Sequence, residues 1–133
     1  MKFYFDTAIW IDMHENRTDR FRPLGEWAFE LLRKIREERH TVVYSEITIR
    51  ELLTHYSTKE IEEMLGGDFL EKISISESQA KEAREISRSL GIPWGDCLHA
   101  ILAKDNNAIM IARDRHFEQL RFLADVKKPE ELI

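Results

Sequence analysis

The sequence predicts an α/β fold: a three-layer α/β/α sandwich with a central parallel sheet. Two observations lead there. Short β-branched or aromatic runs alternate with longer segments whose apolar residues recur at helical spacing, the pattern of strand–helix–strand units. The run Ala108-Ile109-Met110-Ile111-Ala112 is apolar throughout, as expected of a strand covered on both faces. A chain of 133 residues suits one domain over 1–133 with a single hydrophobic core.

Each element follows in order. Lys2–Phe5 reads as a short buried strand and residues 8–13 as a short helix. Residues 14–22 form a polar loop carrying His14, Asn16, Thr18, Asp19 and three arginines. Over residues 24–38, Leu24, Trp27, Ala28, Leu31, Leu32 and Ile35 fall on one helical face. Residues 41–44 are β-branched and aromatic, a second strand. Two helices are expected over 48–56 and 58–65, the second opened by the capping box Ser57-x-x-Glu60 and closed at Gly66-Gly67. A third strand lies within 69–74, and Ser76-x-x-Gln79 caps a long helix that stops before Gly91. A helix over 93–104, the strand 108–112, a short helix after Asp114, a last strand within 122–126 and a terminal turn over 129–132 complete the chain. Pro23, Pro93 and Pro129 each stand just inside an expected helix start, where a missing N–H costs nothing.

Composition narrows the function. With 43% hydrophobic and 34% charged residues the chain has the make-up of a water-soluble globular protein. No apolar stretch is long enough for a membrane span or a signal peptide. Cys97 is the sole cysteine, which excludes an internal disulfide and a cysteine-based zinc cluster, so a cytoplasmic location is expected. A net charge of −5 argues against indiscriminate nucleic-acid binding, although Arg17/Arg20/Arg22, Arg33/Lys34/Arg36 and Arg113/Arg115/His116 form local basic clusters. P-loop, dinucleotide-binding, serine-hydrolase and zincin motifs are all missing.

Four acids carry the chemistry: Asp6 in FYFDTAIW, Glu51 in SEITIRELL, Asp96 in PWGDCLHAILA and Asp114 in IMIARDRHF. Singly, each has an ordinary explanation. Asp6 and Asp114 follow strands and precede helices, the place of an N-cap. Glu51 completes a box with Thr48. Asp96 lies in a first helical turn, where the helix dipole favours a carboxylate, yet it shares a stripe with Ala100 and Ala103, which draws it inward. Jointly, strand-end and helix-start positions converge at the carboxyl edge of a parallel sheet. Carboxylates gathered there repel one another unless a divalent cation sits among them, the arrangement used in metal-assisted phosphodiester hydrolysis. Oxygen ligands without cysteine suit Mg²⁺ or Mn²⁺. Thr7, Arg113 and His116 are candidates to position a phosphate. His99 and His116 flank two acids, and a lone histidine in such a place is ordinarily a packing or capping residue. Trp10, Trp27 and Phe29 could supply a dimer face.

Taken in order, FYFDTAIWID, SEITIRELL, IPWGDCLHAILA, IMIARDRHF and the LADVKKPEEL tail resemble the PIN domain, in particular the small VapC-type ribonuclease toxins. The resemblance spans essentially the whole chain. It implies the α/β/α sandwich already expected and Mg²⁺- or Mn²⁺-dependent cleavage of RNA. It also implies a small antitoxin as protein partner, and Asp6, Glu51, Asp96 and Asp114 as the catalytic, metal-binding acids. One position departs: the last motif usually has Thr or Ser two residues before its aspartate, and this chain has Ala112. Two other readings keep the same residues, an RNA-processing PIN nuclease without a toxin role and a catalytically silent PIN-like binding module. A receiver-like signalling domain fits less well, because Asp6 has no acid beside it.

Overall fold

A computed structural model describing residues 1–133 has five strands, all parallel, in the order β3-β2-β1-β4-β5. They are β1 (Lys2–Phe5), β2 (Thr41–Ser45), β3 (Leu70–Ile73), β4 (Ala108–Ile111) and β5 (Val126–Lys127). The helices are α1 (Thr7–His14), α2 (Leu24–Glu37), α3 (Glu46–Leu52), α4 (Thr58–Met64), α5 (Glu77–Leu90) and α6 (Trp94–Asp105). Two 3-10 helices, Arg115–Leu120 and Pro129–Glu131, follow β4 and β5. None of these helices is long and apolar enough to cross a membrane.

Side chains alternate across a strand, and that alternation builds the layers. Phe3, Phe5, Val42 and Ile111 join a core with Ile9, Trp10, Ala28, Leu31 and Ile35 of α1 and α2. Tyr4, Val43, Ala108 and Met110 point the other way, into a core with Ala83 of α5 and Leu98, Ile101 and Leu102 of α6. The sheet is thus the middle of three layers. β1 is bonded to β2 on one side and β4 on the other, and the strand order runs away from it in both directions. Such a switch point leaves a crevice at the carboxyl ends of the central strands.

Local chemistry sets the element ends. Ser57 with Glu60 and Ser76 with Gln79 form the expected capping boxes of α4 and α5. Gly91 ends α5 in the left-handed region, at φ 68°.

Several expectations need correction. α3 begins at Glu46, two residues before the expected start, because Ser45 is its N-cap and Thr48 Oγ1 accepts from the Ser45 N–H at 3.3 Å. The Thr48–Glu51 box therefore does not form, which frees Glu51. The last strand is Val126–Lys127, since residues 121–124 form a turn that leaves Phe122 66% exposed while Ala124 returns to the core. Pro23 and Pro93 are N-caps, one residue outside their helices. Trp10 supplies no dimer face: it is wholly buried, its ring centroid 5.1 Å from that of Phe5.

Candidate active site

Asp6 follows β1 directly, and its backbone N–H donates to the Ile111 carbonyl at 2.9 Å, carrying the β1–β4 ladder one residue further. It stands at the N-cap position of α1, but its side chain makes no capping hydrogen bond. The residue is instead buried, 6% exposed, with His99, Asp96 and Glu51 as its charged neighbours. Burial, offset in part by His99 and reinforced by the charges of Asp96 and Glu51, pushes its pKa up to about 7. Asp6 is therefore an acid held where it ionises reluctantly.

Glu51 reaches the same place from the last turn of α3. Its Oε1 accepts from Thr7 Oγ1 at 2.7 Å and lies 2.6 Å from His99 Nε2. Burial opposes its ionisation, yet the hydrogen bonds and charge of His99, with Thr7, outweigh burial and hold the carboxyl below the usual range. Its second oxygen, Oε2, packs over Gly95 in the first turn of α6, where an added Cβ would lie 3.0 Å from it. Gly95→Ala is expected to hold or raise the melting midpoint, since alanine is the better helix former. The same change should lower divalent-ion affinity about tenfold, the scale seen when a group supporting a ligand is disturbed. Thermal melts with and without Mn²⁺ check both halves.

Beneath the acids lies a histidine whose role goes beyond the packing or capping expected of it. His99 is wholly buried on α6, one turn after Asp96. Burial alone would keep it neutral, but Tyr4, Glu51 and Asp6 more than compensate and push its pKa up to about 10. In the charged form Nε2–H donates to Glu51 and Nδ1–H donates to the Tyr4 oxygen at 2.7 Å. Tyr4 in turn is 2.7 Å from Ser45 Oγ, which closes a buried polar chain from β2 to the acids. A cation is thus built in under the site. The available signal was the i+3 spacing from Asp96 on the face bearing Ala100 and Ala103.

Asp96 and Asp114 meet on the other side of the crevice. Burial, opposed by the His116 hydrogen bond and reinforced by the charge of Asp114, raises the Asp96 pKa. Asp114 caps the following 3-10 helix, accepting from the His116 N–H at 2.8 Å. The His116 ring folds back so that Nδ1 lies 3.0 Å from Asp96 Oδ2 and 3.2 Å from Asp114 Oδ1. One ligand atom from each of these three residues falls within a span of 4.8 Å.

The remaining candidates fare differently. The Thr7 hydroxyl is committed to Glu51. Arg113 is drawn away from the cluster: its Nη atoms donate to the two oxygens of Glu130 at 2.8 and 2.7 Å, and its guanidinium lies 5.9 Å from the Trp27 ring centroid. Ala112 is 2% exposed and has no hydroxyl to offer Asp114. Negative charges around a buried acid, with a nearby nitrogen and oxygen cluster, are what a divalent cation would satisfy, so these residues fit one.

Comparison with known proteins agrees with the fold. Residues 3–123 match the family model described as the PIN domain. Among curated proteins, none matches the sequence. Solved structures do match. A chain of VapBC2 from Rickettsia felis, bound to a DNA fragment from its promoter, superposes with a TM-score of 0.69 at 19% identity, covering 96% of this chain and 98% of that one. A toxin–antitoxin complex from Klebsiella pneumoniae gives 0.66 at 19% identity, over 96% of this chain and 97% of the other. FitAcB from Neisseria gonorrhoeae gives 0.63 at 20% identity, over 99% and 100%.

Proposed function

Because the chain belongs to the PIN domain family, we propose that it is a Mg²⁺- or Mn²⁺-dependent endoribonuclease, the toxin of a toxin–antitoxin pair, acting as one catalytic unit over residues 1–133. The observation that carries this reading is Asp6: buried, uncapped and pushed up to about 7 beside Asp96 and Glu51. A carboxyl placed so serves the fold poorly and a cation well. Similarity to chains from toxin–antitoxin complexes supports a small antitoxin as partner, and the single cysteine and the lack of a long apolar stretch fit the cytoplasmic setting of this proposal.

Asp6 and Asp96 are the direct metal ligands in this proposal, with Glu51 and Asp114 completing the set. A bound Mg²⁺ or Mn²⁺ supplies Lewis acidity for in-line hydrolysis of an RNA phosphodiester. The chain's own residues prepare the ground. Thr7 and His99 fix one oxygen of Glu51 and leave Oε2 over Gly95. His99 balances part of the negative charge that the buried Asp6 and the half-buried Glu51 bring together. The backbone bond from Asp6 to Ile111 locks the acid to the two central strands. Unstacked RNA is the expected substrate, since single-stranded nucleotides can enter a narrow crevice.

The test is cleavage of a single-stranded RNA panel in EDTA, then after addition of Mg²⁺ or Mn²⁺. Cleavage should be absent in chelator and return with either ion; undiminished cleavage in EDTA would refute the metal requirement. Growth arrest on expression, relieved by a co-expressed small protein, separates a toxin from an RNA-processing nuclease. A silent binding module is the second reading, favoured by Ala112 in place of a hydroxyl residue, and it requires that no RNA be cut with either ion.

A further inference from the structure

We infer that His116 is itself a metal ligand, its Nδ1 joining Asp96 and Asp114 in a mixed nitrogen–oxygen site that favours Mn²⁺ over Mg²⁺. The inference rests on the metal-dependent reading of this site and goes beyond it, since the four acids alone would give an oxygen-only shell.

Nδ1 lies 3.0 Å from Asp96 Oδ2 and 3.2 Å from Asp114 Oδ1. Neighbouring corners of an octahedron with bonds of about 2.1 Å are about 3.0 Å apart. The imidazole nitrogen thus stands at coordination spacing from both carboxylates. The three side chains come from separate elements, the first turn of α6, the end of the β4 loop and the 3-10 helix. The Asp114 cap on the His116 N–H sets that helix so that the ring returns over its own capping carboxylate.

The two histidines divide their work. Both ring nitrogens of His99 are engaged, by Tyr4 and Glu51, in a wholly buried setting. The His116 side chain is 33% exposed, beside an Asp96 at 18%, and can meet an ion arriving from solvent. Mg²⁺ prefers oxygen ligands and gives up water reluctantly, whereas an imidazole in the shell favours a transition ion.

Pulsed electron paramagnetic resonance on the Mn²⁺-loaded protein reads this directly. Wild type should show electron spin-echo modulation from a directly bound nitrogen, and ¹⁵N-histidine labelling should convert it to the ¹⁵N pattern. His116→Gln should keep Mn²⁺ bound, lose the modulation and reduce the Mn²⁺-to-Mg²⁺ affinity ratio about tenfold. Bound Mn²⁺ without nitrogen modulation in the wild type overturns the inference while leaving the carboxylate site standing. Modulation that survives His116→Gln also overturns it, by assigning the nitrogen elsewhere. Failure of Mn²⁺ to raise the wild-type melting midpoint refutes the metal site and this inference together.

Discussion

Asp6→Asn is expected to abolish RNA cleavage, by more than about 100-fold, while making the metal-free protein no less stable at neutral pH. The loss should exceed the 10- to 100-fold typical of removing a group that only supports a ligand, because the proposal makes Asp6 a ligand itself. Asp96→Asn should behave alike. Stability moves the other way because the Asp6 pKa rises from its ordinary 3.8 to about 7 in the fold. A carboxyl raised on folding contributes stability in full below 3.8, and that contribution is lost as pH climbs through about 7. Across that window the loss amounts to about 4 kcal/mol. Chemical denaturation of the metal-free protein at pH 4, 6 and 8 should show this decline in the wild type and a flatter profile in Asp6→Asn. Asparagine caps helices about as well as aspartate, so a cap-only Asp6 would leave cleavage and Mn²⁺ stabilisation unaltered by the substitution. That outcome would remove Asp6 from the site.

His99→Leu should be strongly destabilising, by about 3 kcal/mol, the low end of the scale for breaking a buried ion pair from one side, because His99 is wholly buried while Glu51 keeps part of its surface in water. Leucine fills the space but leaves Glu51, Asp6 and the Tyr4 hydroxyl without their shared partner. His99→Gln, which keeps one N–H within reach of Glu51, should recover part of the loss. The pH dependence has a definite sign. A histidine raised from 6.5 to about 10 on folding contributes in full below 6.5 and loses that contribution as pH climbs through about 10. The gap between wild type and His99→Leu in urea melts should therefore narrow from pH 6 to pH 10. A gap that is constant across that range would show that His99 acts through packing alone.

The layered fold was readable because its strands and long helices announce themselves by period. The apolar run of β4, the capping boxes of α4 and α5 and the stripe on α2 all stand where the pattern puts them. What escaped was decided by competition among neighbours. Two boxes overlap before α3, and Ser45 with Thr48 wins over Thr48 with Glu51 because β2 runs on to Ser45. Phe122 looks like a strand residue in isolation, but β5 has only Val126 and Lys127 to pair with β4. His99 was the costliest omission. On a helix whose neighbours Ala100, Ile101 and Leu102 are wholly buried, it reads as core. Only Tyr4 and Glu51, some 95 and 48 residues away in sequence, show that it is part of a polar chain.

The placement of β1 makes the two sides of the crevice unequal in stiffness. β1 is hydrogen-bonded to strands on both sides, and Asp6 continues that ladder. Its amides should exchange with solvent only when the whole sheet opens. Asp114 and His116 instead hang on a loop and a six-residue 3-10 helix, beyond a strand whose outer neighbour is two residues long. Although Phe117 and Leu120 tie this helix to the core, amides at its exposed start are expected to exchange by local opening that leaves the sheet intact. The crevice is therefore a fixed anvil faced by a compliant jaw, and adjustment to a bound strand falls to the jaw.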